Sequence, residues 1–99
     1  MLKNLISLLF VFAVAKAGAQ TPALDLADSL FRSGNFTQAI KVYTQLNSGY
    51  ANLQVARGYS ALGNYEKAVK QYELALAENP KLLLAKNELG KLLFKLSRF

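Results

Sequence analysis

Residues able to do chemistry are few in this chain, and their spacing assembles no familiar reaction site. Gly58 and Gly63 have the separation of the glycines in a phosphate-binding loop. Asn64-Tyr65 follows them, however, where such a loop needs Lys and then Ser or Thr to reach phosphate and metal. Ser60 lies between Tyr59 and Ala61, with Leu62 in place of the second glycine of a nucleophile elbow. Histidine is absent, which removes any Ser-His-Asp relay and the commonest metal ligand. Cysteine is absent too, so neither disulfides nor thiolate metal sites are available. Asp25 and Asp28 sit three apart on one helical face like a carboxylate pair, yet their place early in a helix suits them to complement its positive end. Asn35-Phe36-Thr37 fits a glycosylation sequon, and Asn35 has a competing use as a helix cap. The expectation is a chain that is no enzyme, with no metal and no cofactor.

Composition and charge narrow the alternatives. Of 99 residues, 53% are apolar and 18% charged, which argues against intrinsic disorder. Met1 to Asn4 carries one positive charge, Lys3, and Leu5 to Ala15 is an apolar run broken only by Ser7. That run is well short of the roughly 20 residues a membrane-spanning helix needs. Ala17-Gly18-Ala19 then supplies the small-x-small pattern read by signal peptidase. The expected leader is residues 1–19, cleaved between Ala19 and Gln20, and the expected destination is periplasmic or extracellular, with a bacterial envelope favoured. Lys3 and Lys16 leave with the leader, so the formal charge of +6 falls to +4, with ten basic residues against six acidic. That is too weak a surplus to argue for nucleic acid.

Self-comparison locates the elements that would position any binding residues. Gly34-Asn-Phe36-Thr-Gln-Ala39-Ile-Lys-Val-Tyr43 aligns with Gly63-Asn-Tyr65-Glu-Lys-Ala68-Val-Lys-Gln-Tyr72. Upstream, Ala27, Leu30 and Gly34 match Ala56, Tyr59 and Gly63, and then Gly90, Leu93 and Ser97. Gly34 and Gly63 are suited to end a helix at positive φ. Asn35 and Asn64 are placed to cap the helix that follows, with Gln38 able to close a capping box. Ala39 and Ala68 suit the close approach of two helices. Asn79-Pro80 stops the second hairpin, because a residue before proline is pushed out of the helical region. Five helices are predicted, over about 22–33, 36–46, 50–62, 65–78 and 81–96, with Gly49 opening the link between hairpins.

The stretch Ala56-Arg-Gly-Tyr59-Ser-Ala-Leu-Gly63-Asn-Tyr65-Glu-Lys-Ala68-Val-Lys-Gln-Tyr72-Glu-Leu-Ala75-Leu-Ala-Glu-Asn-Pro80 resembles a tetratricopeptide repeat. Asn52 replaces the early tryptophan of that pattern. The resemblance implies an all-α fold of tandem antiparallel helix–turn–helix hairpins forming a solenoid. One repeat domain is expected over 20–99, with repeats at about 20–48, 49–82 and an incomplete 83–99. Gly34 to Gly63 spans 29 residues where Gly63 to Ser97 spans 34, so the second helix of repeat one is expected to be short. The last helix reads either as a cap or, the favoured reading, as half of a hairpin in a longer array.

The resemblance further implies a concave groove lined by the first helices, and an interaction scaffold that binds other proteins or peptides. Mapped onto this chain, the groove positions are Leu24, Asp28, Phe31 and Arg32; Tyr50, Leu53, Arg57, Ser60 and Ala61; and Asn87, Lys91, Phe94 and Lys95. Helical spacing by itself places Asn87, Lys91 and Lys95 in one stripe. The mix of apolar and basic groups points to a peptide carrying acidic groups or a free carboxylate. Two other readings stand beside this one. The leucine-rich last helix with Lys86, Lys91, Lys95 and Arg98 is suited to an anionic membrane surface or to self-association, and the chain is alternatively the non-catalytic region of a larger exported enzyme.

Overall fold

A computed structural model describes residues 22–97; the expected leader with Ala17, Ala19 and Gln20 lies outside them, as does Arg98. Five helices follow in chain order: α1 Pro22–Arg32, α2 Phe36–Leu46, α3 Gly49–Ala61, α4 Tyr65–Glu78 and α5 Leu83–Ser97. Each packs mainly against its neighbours in the chain, so α1/α2 and α3/α4 are hairpins and α5 leans on α4. The predicted boundaries hold to within two residues.

Both intra-hairpin turns are built alike. Gly34 and Gly63 take φ of +85° and +80°, a region closed to most side chains. Around the first, the Gly34 amide donates to Phe31 O and the Asn35 amide to Leu30 O; around the second, the partners are Ser60 O and Tyr59 O. Those paired bonds satisfy the last carbonyls of α1 and α3. The expected asparagine caps do not form. Asn35 and Asn64 have ψ of 69° and 74°, short of the extended geometry from which a cap side chain reaches the first-turn amides, and neither makes a cap bond. The capping box expected with Gln38 is therefore open. The cap that does form is Ser48, whose extended backbone lets Oγ accept from the Ala51 amide at 3.2 Å.

The five-residue deficit of the first repeat has a plain origin. α2 is three residues shorter than α4, and the α2–α3 link is two residues, Asn47 and Ser48, where the α4–α5 link is four. Asn47 turns the shorter link in the left-handed region, at φ 47°. In the longer link Asn79 Oδ1 accepts from the Lys81 amide and its carbonyl from Leu82, which holds the backbone in a turn and delays α5 to Leu83 rather than Lys81.

Two cores result, one at each junction between repeats. Ala27, Ala39, Ile40, Tyr43, Ala51 and Val55 form the first; Leu53, Ala56, Ala68, Tyr72, Ala85 and Leu92 form the second, and Tyr59 packs on both. Alanines dominate because the helices of a hairpin approach closely. The contact between hairpins is tight as well: a Cβ on Gly58 of α3 would sit 2.9 Å from Ile40 Cγ1 of α2. Ala75 is fully buried as well.

Candidate functional site

The repeat register sorts the polar side chains into columns. Asp28, Arg57 and Lys91 occupy one position on successive first helices; Asp25, Gln54 and Glu88 occupy the position one turn earlier; Tyr43 and Tyr72 match on the second helices. The fold brings these columns together at each junction. At the first, the Tyr43 hydroxyl donates to Asp28, which also accepts from Tyr50 at 2.9 Å, and Gln54 Nε2 makes a longer 3.4 Å contact to the Tyr43 oxygen. At the second, the Tyr72 hydroxyl donates to Glu88 Oε1 at 2.9 Å, and Arg57 grips the same carboxylate with Nε at 2.9 Å and Nη2 at 2.6 Å. Arg57 Nη1 donates to Gln54 Oε1 at 2.8 Å and joins the two sets. One hydrogen-bonded string thus touches all five helices.

Its electrostatics follow from its geometry. Burial, then the bond to a carboxylate, pushes the Tyr43 and Tyr72 hydroxyls far above the usual phenol range, so both stay protonated donors. The Arg57 bond holds Glu88 below the ordinary glutamate range despite partial burial, and Glu88 in turn raises Arg57. This bidentate pair has the fork geometry that makes Arg–carboxylate contacts strong.

That string changes what the expected groove residues can do. Leu53 is corrected from groove to core: it is only 5% exposed, because α5 covers it through Ala85 and Leu92. Asp28 serves Tyr43 and Tyr50 rather than the α1 dipole alone, and Arg57 is committed to Glu88. Phe31 packs edge-on against Phe36 and Tyr43, with ring centroids 5.0 and 6.4 Å apart, and Leu24 is half-buried against the first core. Arg32 and Ala61 are exposed. Ser60, Lys91 and Lys95 do meet, around a cleft of about 240 Å³ that Tyr65, Tyr72, Glu88 and Leu92 complete. Lys95 Nζ donates to the Tyr65 hydroxyl at 2.9 Å and lies 4.7 Å from that ring's centroid. Asn87 and Phe94 border a different depression on α5, with Lys86, Gly90 and Lys91. Gln54 and Glu88 were not anticipated; the available signal was their shared register one turn before Arg57 and Lys91. Among the described residues no acidic cluster is placed to hold a metal ion, and no helix is long and apolar enough to cross a membrane.

Two family models, each described as tetratricopeptide repeat, match residues 23–52 and 50–82. This chain belongs to the tetratricopeptide repeat family. No curated protein and no solved structure matches it. The two matched segments overlap at residues 50–52, in the first turn of α3. Tetratricopeptide repeats generally mediate binding to other proteins and are typically not catalytic.

Proposed function

We propose that this tetratricopeptide repeat protein is a non-catalytic scaffold, exported to the cell envelope or beyond, that holds acidic peptide segments of partner proteins along its concave side. The observation that carries the groove reading is the cleft between α3 and α5. Lys91 and Lys95 stand exposed at its rim, Tyr72 is buried in its wall, and Ser60 offers a hydroxyl from α3. The aromatic wall gives apolar contact, and the two ammonium groups favour a carboxylate without the cost of freeing Arg57 from Glu88. Export is supported by the charged, apolar and small-x-small order of residues 1–19.

A labelled synthetic peptide rich in Asp and Glu tests the groove. Binding should weaken with rising salt and fall on the order of tenfold in Lys91→Ala/Lys95→Ala, as losing two charge contacts implies. Affinity unchanged in that double variant rejects the cleft. The intact mass of the protein from its native cells tests export separately: a species beginning at Gln20 supports it, and one retaining Met1 to Ala19 rejects cleavage.

A further inference from the structure

The outer face of α5 repeats a position that elsewhere in the molecule is covered. Ala27 and Ala56 are fully buried, sharing a cluster with Ala39 of α2 and with Ala68 of α4 respectively. Their counterpart is Gly90, where an added Cβ would meet nothing within 4 Å. Phe94, the register counterpart of Phe31, is 63% exposed. Lys86, Gly90 and Phe94 are spaced by four and form one stripe, and with Asn87 and Lys91 they enclose a depression of about 360 Å³.

We propose that this face is a docking seat for an amphipathic helix of a partner protein, one with a small residue at its centre and carboxylates on its flanks. The shape argument is the register: α2 and α4 cross the same positions as helices with an alanine at the crossing. The charge argument selects the partner. Lys86 and Lys91 flank the notch, and the sole carboxylate of α5, Glu88, is held by Arg57 and Tyr72. A second copy of α5 would bring ammonium groups together with no spare acid between them, whereas an acidic helix complements them. Asn87 stands where the earlier helices carry Leu24 and Leu53. The seat is therefore more polar than the two permanent junctions, as an exchangeable partner requires. This surface shares Lys91 with the cleft proposed for peptides but neither Ser60 nor Lys95, so either reading can fail alone.

The probe is a synthetic peptide of residues 64–79, the α4 sequence, bearing Lys67→Glu and Lys70→Glu so that it keeps Ala68 and its only charged side chains are acidic. Its fluorescence anisotropy is followed on adding the whole chain. Wild type and Gly90→Ala, which restores the alanine of the other hairpins, should bind alike. Gly90→Leu should weaken binding on the order of tenfold by filling the notch, while its thermal melt shows the fold intact. Lys95→Ala/Ser60→Ala should leave peptide docking on this face nearly unchanged, which separates it from the cleft. No binding, or equal binding by Gly90→Leu, overturns the proposal. So does a dimer in sedimentation that Gly90→Leu dissociates, which assigns the face to a second copy. Capture of anionic vesicles without peptide binding overturns it as well, by assigning the lysines to lipid headgroups.

Discussion

Glu88 accepts hydrogen bonds from two helices that precede its own, and its charge is what makes the arrangement work. Replacing it with Gln keeps the size and an acceptor but deletes the ion pair with Arg57, whose side chain is about as buried as its partner's, at 31% and 28% exposure. Half-buried pairs fall between exposed and buried ones, so Glu88→Gln should cost about 1–2 kcal/mol at neutral pH, read from denaturant midpoints. The sign of the pH dependence is fixed by the direction of the shift. Glu88 has a lower value folded than unfolded, so its contribution is complete above the unfolded value of about 4.3 and disappears as pH falls through the folded value. The gap between wild type and Glu88→Gln should therefore be widest near neutrality and close in acid once pH has fallen through the folded value. A gap that persists in strong acid would mean the carboxylate charge is irrelevant. None of this was legible at residue level beforehand. The repeat alignment rests on residues that stay the same, whereas the string is made where equivalent positions differ: Asp28 against Arg57, Gln54 against Glu88. An Arg read as a free ligand anchor became an internal strut once Glu88 faced it.

Helices and turns were far more legible, because their signals are local. Gly34 and Gly63 ended helices as their freedom at positive φ suggests, and the register of Ala39 and Ala68 located the close crossings. What local reading lacked was competition between neighbouring groups. Asn79 took the turn amides and delayed α5, and the turns at Asn35 and Asn64 left their side chains out of capping reach. Packing now separates glycines that look alike in sequence. Gly58→Ala gains helix propensity but drives a Cβ into Ile40, whose side chain is itself buried. Overpacking of about 1–3 kcal/mol outweighs a propensity gain of about 1 kcal/mol, so this variant should melt at or below wild type. Gly90→Ala meets nothing and should be stabilised by up to about 1 kcal/mol. Equal shifts in thermal melting for the two would contradict the close α2–α3 approach. By the same logic Ala68→Leu, at a position with no exposed surface, should lose about 1–3 kcal/mol or more.

Across the described residues, stability is a chain of neighbour contacts: two small cores share only Tyr59, and α5 rests on α4 with no other described helix packed closely on it. In such an array the ends open more readily than the middle, and α3, which contributes to both cores, should have the slowest amide exchange. The polar string spans all five described helices, and Arg57 is its central link. Cutting it with Arg57→Ala leaves Glu88 with Tyr72 alone and frees Gln54, while the Asp28–Tyr43–Tyr50 group keeps its bonds. If coupling passes only between neighbours, α5 amides should exchange about 5- to 30-fold faster, the factor that one to two kcal/mol carries, and α1 amides should hardly change. Hydrogen–deuterium exchange resolved by helix distinguishes this from the alternative. Equal acceleration in α1 and α5 would mean that the string makes the array a single cooperative unit, so that a ligand gripping Lys91 and Lys95 at one end would tighten the first repeat at the other.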